Sequence, residues 1–172
     1  MENVGHKTLE TMSFARWYNK WIFSLIKKDL GEDILEVGAG IGNFTDLLKQ
    51  AGKVVAIDID KKYLSNLKRR FGGRILVGFG DIEKNTLFFS KSQSAKKFDS
   101  IVCLNVLEHI QEDLKALENM AKLLKPKGKL FLLVPAHKIL FSKFDEELGH
   151  FRRYTKDEIE KKLKRVSLIP QK

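Results

Sequence analysis

The sequence predicts an α/β fold: a doubly wound sheet of parallel strands with helices on both faces. Three observations predict it. Short apolar stretches alternate with segments of helical periodicity. The apolar stretches are continuous, as in strands buried on both sides. Glycine-rich or acidic turns follow the strands, where ligands bind in such sheets. Neighbouring strands joined through a helix need a crossover, and crossovers make them parallel.

Each element has its own signal. Phe14, Trp17, Tyr18, Trp21, Ile22, Leu25 and Ile26 recur at three- and four-residue spacing, predicting an amphipathic N-terminal helix. Asp33–Val37 reads as the first strand, ending at glycines, and Phe44, Leu47, Leu48 and Ala51 mark the next helix face. Val54–Ile57 is the second strand. The helix after it turns Leu64, Leu67 and Phe71 inward and Lys61, Lys62, Lys68, Arg69 and Arg70 outward. Ile75–Gly78 is a third strand, and Asp81–Lys97 reads as a loop rich in Ser and Lys. Ser100–Leu104 is the fourth strand, followed by a helix with Leu114, Leu117, Ala121 and Leu124 on one face. Pro126 and Gly128 stop that helix before a fifth strand at Lys129–Val134. Thr155 with Glu158 is a capping box, opening a last helix to about Lys164. There are no internal repeats.

The 172 residues, 43% of them hydrophobic, fit a single domain. It divides into an N-terminal helical cap (1–29), a core (30–136), and a loop with the last helix (137–172). No apolar run approaches the roughly 18 residues of a membrane span, and the first residues do not read as a signal peptide. The expectation is a cytoplasmic protein, not integral to a membrane. Cys103, the single cysteine, excludes an internal disulfide or a cysteine-built zinc site and reads as a buried strand residue. The net charge of +10 invites a polyanionic partner, but residues 31–60 carry −4 and residues 61–97 carry +8. The glycine-rich turn therefore lies in the acidic stretch, which weakens a global argument for nucleic acid.

That turn is Glu36-Val37-Gly38-Ala39-Gly40-Ile41-Gly42-Asn43-Phe44. Glycines there permit a tight turn, close backbone approach by a ligand and close packing of helix on strand. The third glycine comes one residue earlier than in the NAD fingerprint. Asp58 closes the second strand, where a carboxylate can accept both hydroxyls of a ribose; it could equally cap the next helix. Gly80-Asp81-Ile82 follows the third strand, with a plain turn as the alternative for Asp81. Asn105-Val106-Leu107-Glu108-His109 follows the fourth.

Taken in order, LEVGAGIGNFT, AIDID, GDI, FDSIVCLNVLEHI and LLKPKGKLFLLVPA resemble the motif series of the class I S-adenosylmethionine-dependent methyltransferases, over about residues 30–136. The resemblance implies a Rossmann-like sheet of strand order 3-2-1-4-5 and S-adenosyl-L-methionine as cofactor, leaving S-adenosyl-L-homocysteine; no metal is expected. It implies that Glu36, Gly38, Gly40 and Gly42 surround the methionine part and that Asp58 holds the ribose. Ile59 and Ile82 would flank the adenine, Asp81 would accept from its amino group, and Asn105 and Val106 would line the donor pocket. Tyr18 either closes over the cofactor or is a core aromatic. The acidic balance of residues 31–60 suits a sulfonium cation better than a pyrophosphate.

The fourth strand ends in Cys-Leu-Asn-Val rather than the Asn/Asp-Pro-Pro-aromatic turn of enzymes acting on amino nitrogens of bases or glutamine. Cys103 has no preceding proline, unlike the nucleophile of cytosine-5 enzymes. Glu108-His109 is similar to the small-molecule and quinone-type branch, with His109 either a general base for a hydroxyl acceptor or part of a structural turn. Pro135-Ala136, Asp145 and Gly149-His150-Phe151-Arg152-Arg153-Tyr154 resemble a subgroup carrying a G-H-aromatic-R-R-Y block. Arg152 and Arg153 are candidates to grip a carboxylate or phosphate of the substrate. His150 and Tyr154 would orient the acceptor or take its proton; alternatively the block docks the loop ahead of the Thr155 cap.

Arg165–Lys172 is at best the start of a sixth strand, so the last strands of the usual seven-stranded sheet are largely missing. The fifth strand would then lie near an open edge, which a homo-oligomer could cover. The leading expectation is methyl transfer to a small-molecule or lipid-linked acceptor at oxygen or carbon. The alternatives are a nucleic-acid methyltransferase or RNA-binding module using the basic helix and loop 84–97, a shortened non-catalytic cofactor-binding protein and, more distantly, a nicotinamide oxidoreductase.

Overall fold

The computed structural model describes residues 16–88 and 97–171. In chain order the elements are α1 (Arg16–Ile26), β1 (Asp33–Val37), α2 (Thr45–Leu48), β2 (Lys53–Asp58), α3 (Lys61–Phe71), β3 (Leu76–Asp81), β4 (Thr86–Phe88), β5 (Phe98–Leu104), α4 (Asp113–Leu123), β6 (Leu124–Leu133), α5 (Lys143–Leu148) and α6 (Lys156–Arg165). One six-stranded sheet has the order β4-β3-β2-β1-β5-β6. All neighbours run parallel except β3 and β4. This is the predicted doubly wound sheet with one antiparallel strand added beyond β3.

The added strand corrects the reading of 81–97 as a loop. Phe79 pairs with Phe88 and Asp81 with Thr86, and Asn85 turns the hairpin at φ 53°. Residues 89–96 of that segment, and Phe14 of the N-terminal helix, lie outside the described residues. The helix after the glycine turn is also shorter than its apolar spacing suggested, only Thr45–Leu48. β6 begins five residues earlier than predicted, at Leu124, before Pro126 and Gly128 rather than after them. Its register with β5 shifts between Phe98 and Ser100, and the extra residues, with Lys127 at φ 66°, bulge out so that the proline needs no ladder bond.

The sheet is covered on both faces. Leu35, Val37, Ile57, Ile101 and Cys103 point into one core layer with α4, while Ile34, Val54, Ala56 and Val102 point into the other with α1, α2 and α3. Successive β1 and β2 residues thus serve opposite faces, which is why these strands read as unbroken apolar runs. α3 follows the predicted pattern, with Leu64, Leu67 and Phe71 buried. Asp60 caps it by accepting from the Lys62 amide at 2.7 Å, so the capping role considered for Asp58 belongs to its neighbour. The Thr155–Glu158 capping box opens α6 as predicted.

α1 departs from expectation in which residues it buries. Ile22 and Phe23 face the core, Phe23 meeting Phe44 edge-on at 6.2 Å, whereas Trp17 is 72% and Trp21 52% exposed. Ile22 and Phe23 join the core cluster that holds Phe44 and Leu48. After α6, Ser167 turns at φ 61° and Leu168 packs against the core; among the described residues no further strand forms, and β6 pairs only with β5. No described helix is long and apolar enough to cross a membrane.

Candidate functional site

The carboxyl ends of β1 and β5, the glycine turn and α1 enclose a cleft of about 150 Å³. Tyr18, Glu36, Gly38, Phe44, Asn105 and Leu133 are among its lining. The turn crosses from β1 at Gly38, φ +70°, where the Gly38 and Ala39 amides both donate to the Ile57 carbonyl. A Cβ on Gly38 would stand 2.4 Å from Val106 Cγ2, so only glycine lets the turn lie against the segment that follows β5. Gly42, φ +83°, is the packing glycine: a Cβ there would meet Leu67 and Phe71 of α3 at 2.8 Å.

Two carboxylates stand behind the turn. Glu36 is 4% exposed and its Oε2 accepts from the Thr45 hydroxyl at 2.6 Å. Burial pushes its pKa up to about 8, with Asp58 adding to the rise. Asp58 is 7% exposed, accepting from the Gly40 amide at 2.8 Å and the Asp60 amide at 2.9 Å. Burial raises its pKa too, against those backbone donors. Buried carboxylates with neutral partners and raised pKa values are a donor set that favours an arriving cation. That fits a ligand carrying a sulfonium and an ammonium, and does not fit a pyrophosphate.

The cleft lining therefore includes Tyr18, Glu36, Gly38 and Asn105 of the predicted cofactor residues. Gly40, Gly42, Asp58, Ile59, Asp81, Ile82 and Val106 stand outside the lining. Gly40 and Asp58 are nevertheless bonded to each other, tying β2 to the turn. Ile59 is 67% exposed at the carboxyl end of β2. Asp81 accepts from the Lys84 amide at 3.1 Å and pairs with the Lys84 ammonium at 3.2 Å. Ile82 is buried in the core, and its carbonyl accepts from Asn119 at 2.9 Å.

The block at 149–154 is occupied differently from the reading as a substrate grip. The Arg153 guanidinium forks onto Asp145, with Nε at 2.8 Å from Oδ1 and Nη2 at 3.0 Å from Oδ2. Arg152 Nη1 lies 2.9 Å from Asp113 Oδ2, and its Nη2 donates to the Gln111 carbonyl at 2.8 Å. Both guanidiniums are thus spent inside the chain, because two buried carboxylates must be neutralised there. Tyr154 is likewise corrected as a proton acceptor: it is 3% exposed and donates to Asp113 Oδ2 at 3.0 Å. Burial, with Asp113 beside it, pushes its pKa well above the ordinary phenol. Its backbone forms a parallel bridge with Ala136, docking the block beside the end of β6. The loop-docking alternative describes these three residues.

His109 and His150, from segments far apart in sequence, come together with ring centroids 4.6 Å apart. His109 belongs to a 3-10 turn, Leu107–His109, directly after the Asn105 corner, where Asn105 takes φ 52° and its amide donates to the Leu133 carbonyl. Glu108 on that turn is 1% exposed, and burial pushes its pKa up to about 7. Cys103 is buried, its thiol pushed up to about 12 by burial, an unreactive core residue as predicted.

Sequence reasoning missed Thr45, Asp113, the partners of Asp145 and the burial of Glu108. Asp145 had a readable signal: Ser142 and Asp145 form a capping box, the S-x-x-D pattern ahead of α5. Asp113 lies in the first turn of α4, where an acid is ordinary. Its three partners, Arg152, Tyr154 and Lys162 at 2.7 Å, arrive from another part of the chain.

Residues 35–130 match the family model described as a methyltransferase domain. A ubiquinone biosynthesis O-methyltransferase of Haemophilus ducreyi is 30% identical over 105 residues, which cover 59% of this chain and 44% of that protein. The chain thus spans less than half the length of that relative. Among solved structures, a chain in a complex of the Haloferax volcanii Trm112 methyltransferase activator with a methyltransferase superposes with a TM-score of 0.78, at 15% identity, covering 95% of this chain and 73% of that one. An S-adenosylmethionine-dependent methyltransferase from Clostridium acetobutylicum gives 0.64 at 18% identity, covering 88% and 79%. At these identities the two structures carry the fold.

Proposed function

The chain belongs to the methyltransferase domain family, as a class I S-adenosylmethionine-dependent methyltransferase, and from that premise we propose that it methylates a small-molecule or lipid-linked acceptor at oxygen or carbon. The observation that carries the proposal is the cleft itself. Glu36, Gly38, Asn105 and Tyr18 converge on it from β1, β5 and α1. S-adenosylmethionine supplies an activated methyl group whose transfer removes positive charge from sulfur.

The chain's own residues do the rest. The turn at Gly38 allows the cofactor close to the backbone, and Glu36 offers a carboxylate that its positive charge would help to ionise. Asp58, fixed by the Gly40 and Asp60 amides, sets where the glycine turn ends and offers oxygens toward the ribose. Ile59, exposed next to it, would cover one face of the adenine. Tyr18 and the rest of α1 wall the cleft and exclude water. Alignment of donor and acceptor alone is worth roughly 7–11 kcal/mol of a displacement barrier. The acceptor side lies past Asn105 toward His109, and the absence of an Asn/Asp-Pro-Pro turn there argues against base amino nitrogens.

The resemblance in sequence to ubiquinone O-methyltransferases supports a small apolar acceptor. The basic helix α3 does not strengthen the nucleic-acid alternative, since Arg70 is paired with Asp46 and donates to the Ile41 carbonyl.

The test is incubation of the purified chain with methyl-labelled S-adenosylmethionine and separated cell-extract fractions. Label in the organic-extractable or small-molecule fraction is expected. Label confined to RNA or protein would refute the acceptor class.

A further inference from the structure

Among the described residues, Glu108 Oε2 is the one buried side-chain oxygen or nitrogen with no hydrogen-bond partner. A carboxylate sunk to 1% exposure with an orphaned oxygen calls for a cation or a donor beside it. The protein places two imidazoles there. One ligating atom from each of Glu108, His109 and His150 lies within 4.8 Å of the other two. We propose that Glu108, His109 and His150 form a binding site for a divalent transition-metal ion of the zinc class.

The surroundings are those of a built site. His150 Nδ1 stands 3.0 Å from Asp145 Oδ1. With that nitrogen donating to the carboxylate, Nε2 is left with its lone pair for a metal, the arrangement that fixes tautomer and ring orientation in metal-binding histidines. Asp145 is itself fixed, by the Arg153 fork and by the Ser142 amide at 3.0 Å. The Phe151 amide donates to the Glu108 carbonyl at 2.8 Å, pinning the His150 segment to the turn that carries the other two ligands. The histidine, arginine and aspartate of the G-H-aromatic-R-R-Y region thereby acquire one common purpose: they hold an imidazole against a buried glutamate.

The donor set selects the ion. Two imidazole nitrogens and one carboxylate oxygen suit zinc, cobalt or iron(II), whereas magnesium and calcium take oxygen ligands. A tetrahedral ion about 2.1 Å from each donor holds them about 3.4 Å apart, a closure within side-chain reach of the present spacing. Glu108 closes the floor, and exposed His109 leaves the rim open to solvent. Three protein ligands with an open fourth position is the catalytic rather than the structural pattern. The open position takes water or a hydroxyl oxygen of the acceptor; this last role alone rests on the methyl-transfer reading. Ligation gives His109 and His150 a task other than general base. A site drawn from a turn and a loop more than forty residues apart has no spacing signature of the kind that cysteine-built sites have.

The test uses the full chain, stripped with a chelator and titrated with Co²⁺ and Zn²⁺. One tightly held equivalent per chain is expected, with the visible bands of four- or five-coordinate cobalt, and zinc should abolish those bands by displacement. His109→Ala, at an exposed position, and Glu108→Gln should each weaken binding by roughly a hundredfold or more while circular dichroism stays unchanged. Asp145→Asn, a positioning residue, should weaken it about 10–100-fold and shift the cobalt spectrum. His137→Ala, outside the cluster, should bind as the parent does. No retained equivalent in the parent, or a His109→Ala chain that binds as tightly as the parent, would overturn the site. Neither readout depends on S-adenosylhomocysteine binding, so this proposal and the methyltransferase reading can fail separately.

Discussion

Two buried acids at the carboxyl edge of the sheet are held in opposite ways. Glu36, beside the cleft, accepts from the neutral Thr45 hydroxyl, and burial lifts its pKa to about 8. Asp145, in the loop beyond β6, sits under the Arg153 guanidinium with His150 and Ser142 around it, and that guanidinium holds its carboxyl well below the usual range. The first acid is short of positive charge and the second already has its cation. A polar group near an active-site edge is therefore available to a ligand only if the fold has left it unpaid. By that measure the glycine-turn side suits the proposed cofactor, whereas the charges of Asp145, Arg152 and Arg153 are engaged within the chain as a scaffold that holds the 142–154 loop, with the proposed ligand His150, in place.

The largest effect should come from removing the scaffold's anion. Asp145→Ala leaves Arg153 facing an empty buried site and should cost about 3–5 kcal/mol of unfolding free energy in denaturant titration. Glu36→Gln should cost far less, because the Thr45 hydroxyl can still donate to the amide oxygen. Equal losses from the two would break the contrast. Next in size, Gly38→Val drives a side chain into Val106 at a positive φ. About 1–3 kcal/mol of overpacking is expected, with the cleft distorted along with it.

The pH dependence should carry the signature of Glu36. Its folded pKa of about 8 lies above the unfolded value near 4.5, so between them the folded state holds a proton that the unfolded state releases. Stability from this group is present in full below the unfolded value and declines as pH rises toward 8, by up to about 1.4 kcal/mol per pH unit. In Glu36→Gln that component should vanish from a pH series of thermal or denaturant melts. Smallest of all, Thr155→Ala should cost about 1 kcal/mol through loss of the α6 capping box. It should leave cofactor affinity untouched, since the box lies on the scaffold side.

The same contrast explains what could be read from the chain alone. The β1 turn, the acid closing β2 and the asparagine after β5 are each local: strand, glycine and polar residue lie within a few positions, and the sheet's topology brings their ends together. That β3, β2, β1, β5 and β6 lie parallel followed from their crossovers, and their order from the resemblance. The extra strand β4 did not, since a three-residue antiparallel edge has no periodicity of its own. Nor did the placement of Arg152 and Arg153. A pair of arginines before a tyrosine reads alike whether it faces solvent or two buried aspartates, and Asp113 and Asp145 reach them only through tertiary packing. The burial of Glu108 was hidden similarly, because a charged residue at a turn ordinarily reads as exposed.

The most direct check of the central claim is calorimetric titration of S-adenosylhomocysteine into the parent chain and into Gly38→Val. The cleft built from Glu36, Gly38, Asn105 and Tyr18 predicts one site per chain in the parent, weakened roughly a hundredfold or more when the glycine is filled. No binding to the parent, or equal binding to both, would contradict the assignment of this cleft to the methyl donor.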